Sequence, residues 1–379
     1  MARLGDCFPI IRNGASIKQI SGMSGFPITR IETISNGEVD RAKFGYANID
    51  DVCKYEDFLL HDQDILMSHI NSEKHLGKVA IYHQKEGEQI IHGMNLLMLR
   101  ANPEIVFPSY AAYYFESPFF KRRIVNITKK SVNQASFTVT ALKEINIPIL
   151  SIEEQRRIAA ILNKVSNLIA KHRRQLDTLD ELAKARFVEL FGDLRSNTYG
   201  WETFAFDECF DITSSKRILK SEWKAQGIPF LRVRDMVQLA TTGKMDNEFF
   251  VSEKFYASLN DSDGVPKEGD ILVSATSTLG KCHVVGVEER FYFKDADILR
   301  FRPKGSINPI FFIEQMKNDY IKEQIARTLG VTTVAHFTIK AAKTINMRYP
   351  DIALQEKFAA FIEQTDKSKV AIRKSLEKL

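Results

Sequence analysis

Three residues in the second half of the chain have the types and spacing of a metal-dependent nuclease motif. Asp211, Glu222 and Lys224 form an Asp…Glu-x-Lys string, in which carboxylates would bind a divalent cation that assists attack on a phosphodiester. Such short strings arise often by chance, and the matching positions of an internal repeat carry none of these residue types. We therefore expect no catalytic residue and no metal site.

Other catalytic patterns are missing from the sequence. No phosphate-binding loop is present, and no Gly-rich turn between a strand and a helix suggests a bound methyl donor. Asn102-Pro103 and Asn308-Pro309 are followed by Glu and Ile, so neither forms the Asn/Asp-Pro-Pro-aromatic motif of an adenine methyltransferase. The 8 histidines lack metal-ligand spacing. Binding must therefore account for the function.

Basic residues indicate what could be bound. The formal net charge is +5, and the isoelectric point is near 8.8. Residues Lys121–Lys130 include five basic and no acidic side chains, and Lys171–Arg174 forms a second cluster. Each cluster can equally be a solvated helix face, so charge alone favours a nucleic acid only weakly.

The chain contains an internal repeat with an offset of about 200 residues. Phe137-Thr138-Val139 recurs as Phe337-Thr338-Ile339, and Gly25–Ile31 aligns with Gly227–Val233. Further matches in the same order are Asp64 with Asp270, Gly77 with Gly280, and Gln155 with Gln355. Duplication explains this order, and it predicts two similar modules, each followed by a helix, in a pseudo-two-fold arrangement.

Length and composition predict a cytoplasmic protein of two or three domains. Of the 379 residues, 44% are hydrophobic, and no apolar run approaches the length of a membrane span. The first residues lack the apolar stretch of a signal peptide. All 4 cysteines stand apart, and Cys7 and Cys209 occupy matching repeat positions, which favours core thiols over a disulfide for these two and a reducing compartment for the protein.

Two long helices are predicted from the spacing of apolar residues. Ser151 and Glu154 form a capping box, after which apolar positions recur at spacings of four and three until Gly192, a predicted C-cap. The second copy begins after Pro350 in the same frame. The predicted seam consists of Ile158, Leu162, Val165, Ile169, His172, Leu176, Leu179, Ala183, Arg186 and Leu190, and of Phe358, Ile362, Thr365, Lys369, Ile372 and Leu376.

A seam of this length must pack against another surface. We expect an antiparallel coiled coil between the two helices, because the modules would lie at opposite ends of the linking helix. Polar residues in both seams leave part of the surface for a protein partner, and two separate surface helices remain the alternative. The predicted fold is α/β (α+β), with module 1 at 1–150, a central helix at 151–193, module 2 at 194–350 and a second helix at 351–379.

Each module is predicted to combine short strands with an amphipathic helix. Residues 64–67 and 78–82 favour strands. Aromatic residues at helical spacing predict one helix over Ser109–Arg123 and a matching one over Asn308–Thr328. These aromatic stripes are expected in the core of each module.

The two modules with their helices resemble the specificity subunit of type I restriction-modification systems. The residues that carry the resemblance are Ile147-Pro148 with Glu154–Leu162, Gly227–Asp235 and Arg186–Asp193. The second copy departs from the family pattern: its helix has Leu354–Lys357 in place of Glu154–Arg157, and nothing corresponds to Arg186–Asp193.

The resemblance implies a fold, a function and partners. In this family each module is a target-recognition domain that reads one half of a bipartite, asymmetric double-stranded DNA site. The paired helices act as a spacer and dock two methyltransferase subunits, and motor-nuclease subunits complete the complex. The resemblance places S-adenosylmethionine, ATP and Mg²⁺ on those partners and no cofactor on this chain.

Residues that could contact DNA are polar or basic and lie in predicted loops. Lys and Arg contact phosphates, whereas Arg, Asn, Gln, Ser and Thr read base edges. The candidates are Arg30, Lys78, Lys129, Lys130, Asn133 and Gln134 in module 1, and Arg232, Arg234, Ser274, Thr276, Thr278, Lys281 and His336 in module 2. The matched Arg30 and Arg232 could instead be structural arginines that pair with a carboxylate. The alternative function is a coiled-coil scaffold with two protein-binding modules.

Overall fold

The chain forms two compact units in the computed structural model, Met1–Ala170 and Lys171–Leu379. The structure describes residues 1–20, 25–35, 37–131, 134–329 and 336–379. Among the described helices, none is long and apolar enough to cross a membrane.

The strands of the first unit are short, and most belong to two antiparallel sheets. They are β1 (Ala2–Arg3), β2 (Ile10–Asn13), β3 (Gln19–Ile20), β4 (Phe26–Ile28), β5 (Gly45–Ala47), β6 (Ile65–Ser68), β7 (Ile70–Asn71), β8 (Val79–Ile81), β9 (Leu96–Arg100), β10 (Lys129–Lys130), β11 (Ala135–Ser136) and β12 (Asn146–Ile147). The main sheet has the order β2-β9-β6-β8, and a smaller sheet has the order β3-β5-β4. The predicted strands at 64–67 and 78–82 are confirmed as β6 and β8, each within a residue or two of its predicted bounds.

In the part of the chain that the structure describes, the first unit has four short helices that pack on one face of this main sheet, and one long helix. They are α1 (Leu4–Cys7), α2 (Pro108–Glu116), α3 (Pro118–Ile127), α4 (Val139–Lys143) and the long α5 (Ile152–Phe191), which continues into the second unit. Short 3₁₀ turns lie at Ile31–Ile34, Arg41–Lys43, Cys53–Phe58 and Glu73–His75.

The main sheet is buried on both faces, which explains its continuous apolar strands. Ile65 and Met67 pack with the helices, whereas Leu66 packs on the opposite side, because successive side chains of a strand alternate between faces. Each face therefore has its own hydrophobic core, and the first three residues of β6 are all apolar.

The second unit repeats this architecture. Its strands are β13 (Glu202–Ala205), β14 (Phe210–Thr213), β15 (Ile228–Leu231), β16 (Phe250–Val251), β17 (Ile271–Ser274), β18 (Cys282–Val284), β19 (Tyr292–Phe293), β20 (Ile298–Pro303) and β21 (Asn346–Tyr349). Its main sheet has the order β14-β20-β17-β18, which corresponds strand for strand to β2-β9-β6-β8. The predicted duplication is confirmed at the level of topology.

Among the described residues, the second unit has the five helices of the first in the same order and two more between Val233 and Ser258. They are α6 (Phe206–Cys209), α7 (Val233–Thr242), α8 (Glu253–Ser258), α9 (Pro309–Lys317), α10 (Asp319–Thr328), α11 (Ile339–Lys343) and α12 (Ile352–Leu376), with 3₁₀ turns at Lys220–Glu222 and Asp261–Asp263. The prediction of one helix over 109–123 and one over 308–328 is wrong, since each segment forms two helices. Pro118 and Asn318 interrupt them: proline prefers the first turn of a new helix, and Asn318 caps α10.

A matched ion pair stabilises both main sheets. The buried carboxylate of Asp64 accepts two hydrogen bonds from Arg100, at 2.8 and 2.7 Å. Asp270 accepts two from Arg302, both at 2.8 Å. Two-point pairing of this kind is among the stronger interactions of a buried carboxylate, which explains why an aspartate recurs at this position of the repeat.

The start of each long helix is fixed by a buried glutamine. The Gln155 side chain accepts from the Phe107 amide at 2.8 Å and donates to the Ile105 and Leu150 carbonyls, both at 2.9 Å. Gln355 accepts from the Asn308 amide at 3.0 Å and donates to Pro350 at 2.7 Å. An amide side chain supplies both donor and acceptor, so it satisfies loop backbone groups that would otherwise be buried unpaired.

The predicted ends of α5 are confirmed. The Glu154 amide donates to Ser151 Oγ at 3.3 Å, and the Ser151 amide donates to the Glu154 carboxylate at 3.2 Å. Gly192 has φ +73°, the left-handed conformation of a helix C-cap. The 40 residues of α5 span about 60 Å. All four cysteines are free thiols.

Candidate nucleic-acid interface and helix pair

Arg30 lies exposed on the surface of the first unit with a neutral partner. Its Nε donates to Gln19 Oε1 at 2.5 Å. Gly45 makes room for this contact, because a Cβ there would lie 2.2 Å from Gln19 Oε1 and 2.4 Å from Arg30 Nε. Any larger residue at this position would therefore clash with the contact between Arg30 and Gln19.

Arg30 and Gln19 line a surface pocket of about 270 Å³. Its other lining residues are Ala15, Ser16, Ile17, Thr29, Ile31, Glu32, Met94 and Asn95. Thr29, one of these residues, is closely packed against Gly93, since a Cβ on Gly93 would lie 2.1 Å from the Thr29 carbonyl oxygen. Asn95 adopts φ +78°, a conformation that is uncommon for residues other than glycine and is often found at functional sites.

The remaining candidates of module 1 lie on a small hairpin and beside the main sheet. Lys129 and Lys130 are exposed on β10, which pairs with β11, and Lys130 contacts Glu73 at 2.8 Å. Gln134 is exposed, and Asn133 lies outside the described residues. Lys78 is half-buried and donates to the Ser35 carbonyl at 3.2 Å. These residues stay predicted DNA contacts.

Arg232, which matches Arg30, has a structural role in module 2. Its guanidinium donates to Asp235 at 2.8 and 3.1 Å and to Glu248 at 3.0 Å, and it lies over the Phe249 ring at 4.5 Å. Burial alone would raise the pKa of Asp235, but hydrogen bonds from Arg232 hold it below its ordinary value. The Arg232 guanidinium is therefore already paired with two carboxylates.

Ser274 was predicted to contact DNA, and the structure corrects this prediction. The residue is fully buried; its hydroxyl donates to the Thr278 carbonyl and accepts from the Lys281 amide at 2.9 Å. Ser68 has the same role in module 1, where it accepts from the Lys78 amide at 3.1 Å. The serine closes the loop after a core strand and cannot reach a ligand.

The other candidates of module 2 are accessible. Thr278, Lys281 and Arg234 are exposed, whereas Thr276 and His336 are half-buried. Arg234 shares Glu248 with Arg232, at 3.3 Å. Since no contact with a nucleic acid tests them, they stay predictions.

The second half of α5 packs antiparallel against α12 within the second unit. His172 contacts Ser375 at 3.1 Å, Asp180 contacts Lys369 at 2.7 Å, and the Phe187 and Phe358 rings lie 5.4 Å apart. Residue numbers rise along one helix as they fall along the other, which confirms the predicted antiparallel pair. Burial would lower the pKa of Lys369, but Asp180 outweighs it and raises the pKa, so this seam lysine is stabilised by a partner across the pair.

The predicted seam is wrong in its last two turns. The buried positions after Ala183 are Phe187 and Phe191, at 5% and 0% exposure, in place of Arg186 and Leu190. The buried positions of the helix shift by one residue because both aromatic rings enter the core of module 2. The ring centroids of Phe191 and Phe311 lie 4.7 Å apart there. The sequence signal that could have revealed this is the Phe-x₃-Phe pair just before Gly192.

The seam residues of the first unit are less covered than those of the second. Ile158, Leu162, Val165 and Ile169 are only half-buried. The matching Phe358 and Ile362 are buried, at 0% and 7% exposure. The predicted positions Leu176, Leu179, Ile372 and Leu376 are half-buried along the α5–α12 contact.

The nuclease-like string has structural partners. Asp211 pairs with the buried Arg300 at 3.3 Å, and Glu222 accepts from the Leu219 amide at 2.8 Å. Within the described ranges, no group of three or more His, Cys, Asp or Glu side chains could hold a metal ion.

Comparison with known proteins identifies the family. The sequence profile described as "Type I restriction modification DNA specificity domain" matches residues 1–181 and again residues 199–379. The chain belongs to this family. It is therefore a type I restriction-modification specificity subunit with two tandem specificity domains.

Curated relatives support this assignment, one of them over nearly the full length. A protein of Methanocaldococcus jannaschii assigned as the type I restriction enzyme MjaX specificity subunit is 30% identical over 99% of this chain and 90% of its own length. The EcoKI specificity subunit of Escherichia coli is 24% identical over 42% of this chain and 34% of its own. The crystal structure of the type I S subunit from M. genitalium has the same fold, with a TM-score of 0.62 at 17% identity over 99% of this chain and 91% of that one.

Proposed function

We propose that the chain is the non-catalytic DNA-recognition subunit of its complex, in which each module reads one half of a bipartite, asymmetric duplex site. The observation that carries this proposal is a duplicated scaffold with unlike surfaces. The main sheets have the same strand order, yet the matched arginines have a neutral partner in one module and two carboxylates in the other. Two copies of one scaffold with different polar surfaces suit two different half-sites.

The long helices set the distance between the half-sites and dock two methyltransferase subunits in this proposal. A second apolar strip on α5 supports docking: Ile161, Leu168 and Leu182 are 53%, 38% and 47% exposed. Their spacing is a multiple of seven, so they share one face of the helix. Exposed apolar residues in line on a helix are typical of a surface that a partner helix covers.

The cofactors of the complex belong to the partner subunits in this proposal. S-adenosylmethionine and its methyl transfer are assigned to the methyltransferase subunits, and ATP and Mg²⁺ to the motor-nuclease subunits. Titration of the isolated chain with S-adenosylmethionine is expected to give no saturable heat or spectroscopic change. Saturable binding with a defined stoichiometry would contradict the assignment.

Selection from random duplex DNA tests the proposed function. The chain purified with its methyltransferase subunits is expected to enrich an asymmetric motif in two parts separated by a fixed gap. Affinity should fall steeply as salt rises, because phosphate contacts release counterions. Failure to enrich any motif would refute DNA recognition and favour the protein-binding scaffold, and one contiguous motif would refute the two-module arrangement.

A further inference from the structure

One residue explains why the two matched arginines differ. The Arg30 amide donates to Thr33 Oγ1 at 2.8 Å, and the Arg232 amide donates to Asp235 Oδ2 at 3.0 Å. Each acceptor lies three residues after its arginine and caps the helical turn that begins there. Both caps satisfy the same backbone group, but only the aspartate adds a negative charge that attracts the arginine side chain.

The neutral cap leaves the Arg30 side chain available. Among the described residues, its side chain has one hydrogen-bond acceptor, Gln19 Oε1, which accepts from Nε, so neither terminal amino group donates to an acceptor there. A guanidinium held through Nε keeps its outer fork in a fixed orientation, which lowers the entropy lost when a ligand binds.

The pocket beside Arg30 suits the edge of a base pair better than a phosphate. Glu32 lines the same pocket as Arg30, and its exposed carboxylate has no ion-pair partner among the described residues. A phosphate at the arginine would be repelled by this second anion. A G·C pair instead offers two acceptors on guanine for the arginine fork and an amino group on cytosine for a carboxylate.

We infer that Arg30 reads a guanine, with Glu32 on the paired cytosine, in the half-site bound by module 1. The matched Arg232 reads no base and serves as the cap partner of α7. The identity of the cap residue, threonine or aspartate, decides whether this arginine recognises DNA or stabilises the fold.

Because this assignment rests on the proposed function, the test begins with the motif that the wild-type complex selects. The chain with its methyltransferase subunits is assayed with Arg30→Ala, Thr33→Asp and Arg232→Ala. Arg30→Ala is expected to lose about tenfold of discrimination at one G·C position of one half-site and to keep the other positions. Thr33→Asp places a carboxylate where module 2 has one, and it should cause the same loss while Arg30 is still present.

The matched control is Arg232→Ala, which should leave every base preference unchanged and lower the unfolding temperature. A uniform loss of affinity for all sequences after Arg30→Ala, with a shallower salt dependence, would show a phosphate contact and overturn the inference. Unchanged preferences in both Arg30→Ala and Thr33→Asp would also overturn it. If the wild-type complex selects no motif, it is the proposed function that fails, so the two failures are distinguishable.

Discussion

The two modules share the order of their main sheets and several buried polar pairs, and they differ around the matched arginines. The strand order of the main sheet, the Asp64–Arg100 pair and the buried Gln155 all have counterparts in module 2. The surroundings of Arg30 do not. Duplication thus preserved the groups that satisfy buried polar atoms, because losing any of them costs stability. Exposed side chains carry no such cost, and they are free to diverge in recognition.

The modules also differ in how their helices are covered. In the second unit, Phe187 and Phe191 cover Phe358. In the first unit, the matching Ile158 is only half-buried. The matching helix face is therefore less covered in the first unit than in the second.

The largest expected effect is on the stability of the second unit, where aromatic residues at the end of α5 pack against α12. Phe191→Ala removes a fully buried ring that contacts Phe187, Phe311 and Phe358. We expect a loss of about 4 kcal/mol in the free energy of unfolding of the second unit. Urea unfolding followed by tryptophan fluorescence measures it, because both tryptophans, Trp201 and Trp223, lie in that unit.

The control for this change is the exposed Val188 on the same helix. Val188→Ala should change stability by less than about 0.5 kcal/mol. Equal losses in Phe191→Ala and Val188→Ala would show that the aromatic contact does not stabilise the second unit.

The next largest effect concerns the two buried glutamines and tests whether the starts of the two long helices are equivalent. Gln155→Ala and Gln355→Ala each leave buried backbone groups without their partners. Each is expected to cost about 3 kcal/mol. Circular dichroism during urea unfolding measures both, and the exposed Gln364→Ala is the control. A large loss in only one variant would break the equivalence of the two helix starts.

A smaller effect should appear in the first unit alone at mildly acidic pH. Burial lowers the pKa of both His69 and His92 to about 4, whereas the ordinary value of 6.5 applies after unfolding. The unfolded chain then binds protons that the folded chain does not, so stability falls as pH falls from about 6.5 towards 4. The position of His69 in module 2 is taken by Ala275, whose carbonyl likewise accepts from the matching phenylalanine amide.

Between pH 6.5 and 5.5 the two histidines should together remove about 2 kcal/mol. Tryptophan fluorescence reports only the second unit, whereas circular dichroism reports both. The circular dichroism transition is therefore expected to move to lower urea concentration than the fluorescence transition. If both transitions move together, the acid sensitivity is not specific to the first unit.

The smallest effect on stability is expected at the exposed strip of α5. Ile161→Glu and Leu182→Glu replace side chains that are 53% and 47% exposed, so each should cost less than about 0.5 kcal/mol. Both variants should nevertheless lose the methyltransferase subunits in co-purification, since a charge would be buried at the docking surface. Lys184→Glu, an exposed change on another face of the helix, is the control. Retained co-purification in both strip variants would place docking elsewhere.

The sequence predicted the duplication and the long helices because these leave periodic signals. Matched residues such as Gln155 and Gln355 lie at one offset, and the capping box of Ser151 follows a local rule. The capping box and the helical spacing depend only on residues that are close in the chain, and the duplication is visible as matched residue types without knowledge of their contacts.

The errors arose where distant residues decide the outcome. Phe187 and Phe191 take the seam positions because the core of module 2 receives their rings, which heptad spacing does not reveal. Ser274 was assigned to the surface because its loop is polar, although its hydroxyl closes that loop from inside. The cap residues Thr33 and Asp235 were visible in the sequence, but their effect required knowing where each helical turn begins.

The attachment of Gln155 to the loop before α2 has a mechanical consequence. Module 1 is fixed to α5 by this side chain, and module 2 is fixed to the other end of α5 by Phe191. Each residue inserted in the helix between these two attachments would turn one of them about the helix axis by about 100° and shift it along the axis by about 1.5 Å. Seven inserted residues would nearly restore the rotational phase of the two attachments, whereas shorter insertions would leave them further out of phase.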